Sequence, residues 1–266
     1  MPVGKERRGE RRGLMSHYWN PVYGALRAAA MRADTFVGAL EIFLVVGFVI
    51  ALAGTFIFVG LASYVRTGVT QSFDESVLRW MGAHHSKLTD SLMLEITALG
   101  TGMVVMMIVL VAGLFLTLTQ HKYSALLLLV STFGGLVLNT VLKMGFHRPR
   151  PQVIEWGTQA VSSSFPSGHA MSAAIVYSTV AYLAARLNRR LWARWTMMTL
   201  ALVLIVAISA SRMYLGVHYP SDVVAGVVIG LAWAGFCMAT LEAIQRYAER
   251  RAPEVMREEK PAPPAS

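Results

Sequence analysis

The chain is poor in charge and nearly without cysteine. Only 15% of its 266 residues are Asp, Glu, Lys or Arg, while 55% are hydrophobic. Soluble domains carry roughly 25% charged residues, so a soluble fold of this length would lack the charge to cover its surface. The single cysteine, Cys237, lies in an apolar run, which excludes an internal disulfide and leaves it as a small core residue. No internal repeat is visible. Carboxylates are scarcer than cations, 15 against 24, for a net charge of +9. That excess could serve nucleic acid, but the cations lie beside apolar segments, where membrane topology accounts for them better. No nucleic-acid partner is expected.

What the chain has in quantity is hydrocarbon, with a mean hydropathy of +0.51. Six apolar segments, at about 36–64, 91–118, 123–143, 169–187, 191–210 and 221–243, each approach or exceed the ~20 residues needed to cross a bilayer. The pattern predicts an all-α, polytopic membrane protein with six transmembrane helices. The first segment is expected to be retained as a span, not cleaved as a signal peptide. From Ile42 to Tyr64 it runs without a charge, longer than a signal-peptide core, after 35 mostly polar or basic residues.

The cations are unevenly placed. Seventeen Lys and Arg fall in the N-terminal tail, the second and fourth connections and the C-terminal tail. Seven fall on the other side, four of them within the clusters described below. The positive-inside rule then places both termini in the cytoplasm and the clusters at the outer face. Residues 1–35 read as a basic tail in which Trp19, Val22, Tyr23, Leu26 and Ala30 keep helical spacing. That suits either an interfacial helix or a plain topogenic tail. Residues 36–245 read as the membrane domain. Residues 246–266, charged and Pro-rich towards the end, read as a disordered tail.

Three short clusters carry the chemistry. Lys143, Arg148 and Arg150-Pro151 close the third span. Pro166-Ser167-Gly168-His169 opens the fourth. Ser211-Arg212, His218 and Asp222 lie between the fifth and the sixth. From His169 to His218 the chain crosses the membrane twice, so all three clusters return to one face. Arg suits bidentate phosphate contacts and Lys supplies a point charge. Ser167 is a good N-cap, and a helix start offers free amides and partial positive charge to an anion. Gly168 lets backbone approach a phosphate closely. His218 and Asp222 are one helical turn apart. The carboxylate can accept from one ring nitrogen, fixing the tautomer and leaving the other nitrogen free to attack. His147 reads by default as a loop residue, with lining of the site as its alternative; the pair His84-His85 reads as solvated; and Glu95 reads equally as facing a cavity or as interfacial. Near the clusters the carboxylates in view are Asp222 and Glu155, too few for a two-metal site, so no metal and no cofactor are expected.

These residues resemble the type-2 phosphatidic acid phosphatase superfamily, which also includes vanadium haloperoxidases. Its signature is a Lys, six residues, then Arg-Pro; a Pro-Ser-Gly-His; and a Ser-Arg, five residues, His, three residues, Asp. Every position is present here, over roughly residues 36–243. The resemblance implies His218 as a nucleophile that becomes phosphohistidine, Asp222 as its orienting group and His169 as the acid for the leaving alkoxide. Lys143, Arg150, Ser167, Gly168 and Arg212 would hold the phosphoryl oxygens. The implied activity is hydrolysis of a lipid phosphomonoester or diphosphate at the outer leaflet: phosphatidate, phosphatidylglycerophosphate or undecaprenyl diphosphate. The rival readings are a phosphotransferase with an acceptor other than water, and a non-catalytic lipid-phosphate binder. The apolar spans disfavour a soluble haloperoxidase.

Overall fold

A computed structural model describes residues 42–158 and 162–251. The two terminal segments 1–41 and 252–266, on which most of the readings for the tails fall, lie outside the described residues. Within them the chain is helical, without strands: α1 Ile42–Arg66, α2 Gln71–Gly82, α3 Lys87–Ala98, α4 Gly102–Leu118, α5 Lys122–Gly145, α6 Gly168–Leu187, α7 Leu191–Tyr214 and α8 Pro220–Arg251. Five of these, α1 and α5 to α8, are long and apolar enough to cross a membrane, and α3 with α4 makes a sixth as a bent pair. The protein is a multi-pass, all-helical membrane protein. Its outward side chains fit lipid contact: Phe56 and Met103 are 83% and 85% exposed.

The second span differs from the single helix expected over 91–118. It starts earlier, at Lys87, behind a capping box in which Ser86 and Thr89 bond each other's backbone N–H. It then breaks between Ala98 and Gly102 with a 47° bend. Thr101 is extended there. A Cβ at position 100 would come within 2.6 Å of Ile208 and 3.1 Å of the His169 ring, so glycine lets the break sit against the start of α6. The break strips the Leu99 carbonyl of its helical partner. The Tyr177 hydroxyl donates to it at 2.9 Å.

α2 was not expected from the sequence. Its inward face is Asp74 and Leu78, one turn apart and both fully buried. Met81, on the same face, packs with Tyr214, Leu215 and Val217. The last apolar span runs to Tyr247 instead of 243, and its helix continues to Arg251, so the tail expected to be disordered from 246 is helical up to there.

α6 lies at the centre, packed on α4, α5, α7 and α8. Its most apolar stretch is 56% buried, against 11% for α1. Ala170, Ala173 and Ala174 are wholly enclosed, and such small residues allow helices to approach closely. The approach to α8 is close at Gly226. A Cβ at position 226 would lie 2.6 Å from the Ser167 carbonyl oxygen. This contact holds the start of α6 against the first turns of α8, where two of the three clusters lie. Gly226→Ala is expected to cost about 1–3 kcal/mol through overpacking, read as a lower unfolding midpoint in detergent. Gly60→Ala, inside α1 and with nothing within 4 Å of the added carbon, is expected to stabilise by up to about 1 kcal/mol through helix propensity.

Candidate active site

The three clusters meet at one end of the bundle, as the crossing count requires. The Ser167 amide donates to the Asp222 carbonyl at 3.0 Å, which ties the start of α6 to the first turn of α8. The side chain at 168 is missing where a Cβ would stand 3.1 Å from the Asn139 amide nitrogen and 3.7 Å from Lys143 Cε. The backbone at the helix start therefore lies open beside the Lys143 stem.

Lys143, in the last turn of α5, donates to Ser162 Oγ and to the Ser163 carbonyl, both at 3.0 Å. Arg150 is anchored by the Ser162 and Val217 carbonyls at 2.9 and 2.7 Å. Its Nη1 then lies 3.4 Å from His218 Nε2. Arg212 is buried and donates to Thr97 Oγ1 at 2.9 Å, while its Nε has no partner among the described residues. Each cation is thus fixed by backbone or hydroxyl oxygens and retains N–H groups for an anion.

Ser167 departs from its expected role. It occupies the N-cap position of α6, yet its hydroxyl makes no capping bond and is buried without a partner. A buried unpaired hydroxyl costs of order 1–3 kcal/mol. A phosphoryl oxygen at the open helix start would relieve that cost. The His169 ring, against Gly100, likewise meets no hydrogen-bond partner among the described residues.

His218 is 2% exposed. Burial foremost, with the charges of Arg150 and Arg212, pushes its pKa down to about 4 against the opposing pull of Asp222. At neutral pH the ring is uncharged and keeps a lone pair. The Asp222 carboxylate lies 3.7 Å from Nδ1, longer than the direct bond expected from the i, i+4 spacing. Ser164 stands between them: its hydroxyl makes a short hydrogen bond to Asp222 Oδ2 and lies 3.5 Å from Nδ1. A proton on Nδ1, facing this oxygen-rich side, leaves Nε2 as the lone-pair nitrogen on the Arg150 side.

The sequence reading missed four polar residues here. Ser164 is one, and Thr97 beneath Arg212 is another. The third is the role of Arg148, counted only as a cation of the first cluster. Its Nη1 donates to Asp222 Oδ1 at 2.5 Å and its Nη2 to Asp74 Oδ2 at 2.9 Å. Asp74 is the fourth, a wholly buried carboxylate where only Asp222 and Glu155 were expected nearby. Glu155 is exposed, as are His147 and Glu95. His84 and His85 are exposed, as expected; His84 also bonds the Trp80 carbonyl, and His85 stacks on Tyr214 at 4.2 Å. Among the described residues no group of three His, Cys, Asp or Glu side chains is arranged to hold a metal ion.

The chain is similar to known proteins in sequence and in fold. The PAP2 superfamily model matches residues 124–246. Phosphatidylglycerophosphatase B of Bacillus subtilis (strain 168) is 30% identical over 73% of this chain and 95% of its own. Undecaprenyl-diphosphatase BcrC of the same organism is 28% identical over 56% of this chain and 73% of its own. The crystal structure of a transmembrane PAP2-type phosphatidylglycerolphosphate phosphatase from Bacillus subtilis superposes with a TM-score of 0.69 at 30% identity, over 73% of this chain and 96% of that one. With one such relative matched over nearly its whole length, and with the same fold and the three clusters in order, the chain belongs to the PAP2 superfamily.

Proposed function

We propose that the protein is an integral membrane lipid phosphatase that hydrolyses a lipid phosphomonoester or diphosphate through a phosphohistidine intermediate. The observation that carries this reading is His218. It is a buried neutral imidazole with one nitrogen turned to a held carboxylate and the other to the side of an anchored arginine. Binding alone would need the cations but not this polarised pair. Phosphoryl transfer rests mainly on positioning and charge stabilisation, which Lys143, Arg150, Arg212, the Ser167 hydroxyl and the backbone at Gly168 can supply.

In the proposed sequence, His218 Nε2 attacks phosphorus as the bond to the lipid oxygen breaks. His169 gives its proton to that oxygen. Water then attacks the phosphohistidine, His169 accepts a proton from it, and inorganic phosphate leaves with Nε2 restored. Asp222 and Ser164 support the Nδ1–H as charge develops on the ring. No step in this sequence is routed through a metal.

The substrate class is narrowed by the relatives, whose names specify phosphatidylglycerophosphate and undecaprenyl diphosphate. The test is release of inorganic phosphate by purified protein from phosphatidate, phosphatidylglycerophosphate and undecaprenyl diphosphate, with EDTA present. Release from at least one is expected, with vanadate blocking it. No release from any, or loss in EDTA restored by Mg²⁺, would overturn the proposal. Transfer of the label to an added alcohol without phosphate release would establish the phosphotransferase instead.

The proposed location is the outer leaflet, with both termini cytoplasmic, on the seventeen-to-seven division of cations. In a Cys237→Ala background, a cysteine placed at the exposed Glu155 is expected to react with an impermeant thiol reagent in intact cells. Reaction only after lysis would invert the topology.

A further inference from the structure

The proposed chemistry uses three clusters that all lie after residue 142, and the superfamily match covers residues 124–246. The buried charge at the site does not stop there. Asp74 comes from α2, well outside that segment, and is fully enclosed. Its Oδ1 accepts from the Ser221 amide at 3.0 Å. Its Oδ2 accepts from the Ser221 hydroxyl at 2.5 Å and from Arg148 Nη2 at 2.9 Å. Arg148 is held on every side. Its Nη1 donates to Ser221 Oγ at 2.8 Å and to Asp222 Oδ1 at 2.5 Å. Its Nη2 also reaches Gln71 Oε1 at 3.3 Å. Its plane lies 4.1 Å over the Tyr219 ring.

The geometry points to Asp74 as a positioning residue for the nucleophile, acting through Arg148 and Asp222. A guanidinium is a rigid, planar fork. With one prong fixed on Asp74, the other can meet Asp222 Oδ1 in only one orientation. That orientation turns Asp222 Oδ2 towards Ser164 and His218 Nδ1. Asp74 touches neither His218 nor the pocket beside Nε2, so it has no catalytic contact of its own. A free arginine here would be worse than none. It could swing and take the Asp222 carboxylate with it, leaving the imidazole without a defined tautomer. α2, which looks like a mere connection between the first two spans, is on this account the clamp that aims the carboxylate.

This inference rests on the proposed phosphohistidine chemistry, and a double-mutant cycle tests it. The full-length protein, Asp74→Asn, Asp222→Asn and the double variant are purified in detergent. Release of ³²P-phosphate from labelled phosphatidate, or from whichever lipid the parent hydrolyses, gives kcat and KM for each. Asn keeps the shape and one acceptor of Asp74 but loses the charge that fixes Arg148. Asp74→Asn is expected to lower kcat by about 30- to 100-fold, the scale of an ångström's misplacement, with KM within about twofold. In the Asp222→Asn background the same change is expected to cost less than about threefold, because the group it acts through is already gone. A purely structural Asp74 would cost the same factor in both backgrounds, and that result overturns the inference. A loss confined to KM, or a loss in kcat below threefold, overturns it as well. Should Asp74→Asn fail to fold, Asp74→Glu keeps the charge and displaces it by one methylene. A fall in kcat that Asp222→Asn suppresses supports the clamp, and its absence refutes it. Failure of the parent protein to release phosphate from any lipid would sink the phosphatase reading itself, and so is distinguishable from failure of the clamp.

Discussion

Phosphate release by the His218→Ala protein is expected to fall by about 10³-fold or more, as when the nucleophile of a covalent mechanism is removed, while the protein still inserts and folds. The ring is nearly enclosed, but among the described residues its ties to other side chains are long ones, at 3.4 Å to Arg150, 3.5 Å to Ser164 and 3.7 Å to Asp222. Its loss therefore removes the proposed nucleophile without breaking a short, strong contact. The measurement is steady-state phosphate release, paired with a search for phosphoprotein in samples quenched with alkaline detergent. Parent protein given labelled lipid phosphate should carry acid-labile, base-stable label, and the variant none. A well-folded His218→Ala protein that still turns over at more than a few per cent of the parent rate would remove His218 from its role.

The second large effect concerns His169, and it depends on the leaving group. An alkoxide leaving from phosphorus needs a proton, and a positioned acid contributes typically about 10²–10⁴-fold. A nitrophenolate barely needs one. His169→Ala is therefore expected to slow a lipid phosphate by about two orders of magnitude or more, and nitrophenyl phosphate by much less. Asp222→Asn should slow both, since it weakens attack itself. The contrast follows from position. His169 stands in the first turn of α6 with no partner among the described residues, whereas the carboxylate of Asp222 is taken up by Arg148, Ser164 and the Tyr219 amide. The ratio of the two substrates' rates in each variant is the readout. An equal factor for both in His169→Ala would make His169 a phosphate-binding group and not an acid.

Much of this was legible before any coordinates. The eight candidate residues could be named because phosphate chemistry demands particular side chains, and because two membrane crossings return His218 to the face that His169 leaves. Less legible was what each of them touches. Ser167 reads as a cap by its type and place, yet its hydroxyl is left unpaired at the helix start. Arg148 reads as one cation among three, yet it spans two buried carboxylates. Asp74 and Ser164 carry no signal of their own, since an Asp in a connection and a Ser in a short serine run before a helix are everywhere in proteins. The second span reads as one helix because apolar residues run through its break. The sequence does not show that Ile208 and His169 come so close at Gly100 that a Cβ there would meet them.

The division has a physical origin. Hydrophobic length, helical period and the bias of basic residues are properties of neighbouring residues, so the sequence by itself determined a helical membrane protein of six spans with its cations gathered at one end. Hydrogen bonds are not local. Asp74 meets Ser221 across 147 residues and Ser164 meets Asp222 across 58. Whether such groups lie three ångströms apart or ten depends on how closely α8 can approach α6 at Gly226 and on where α2 docks. Only the tertiary structure decided which carboxylate holds which cation, and which nitrogen of His218 faces Arg150.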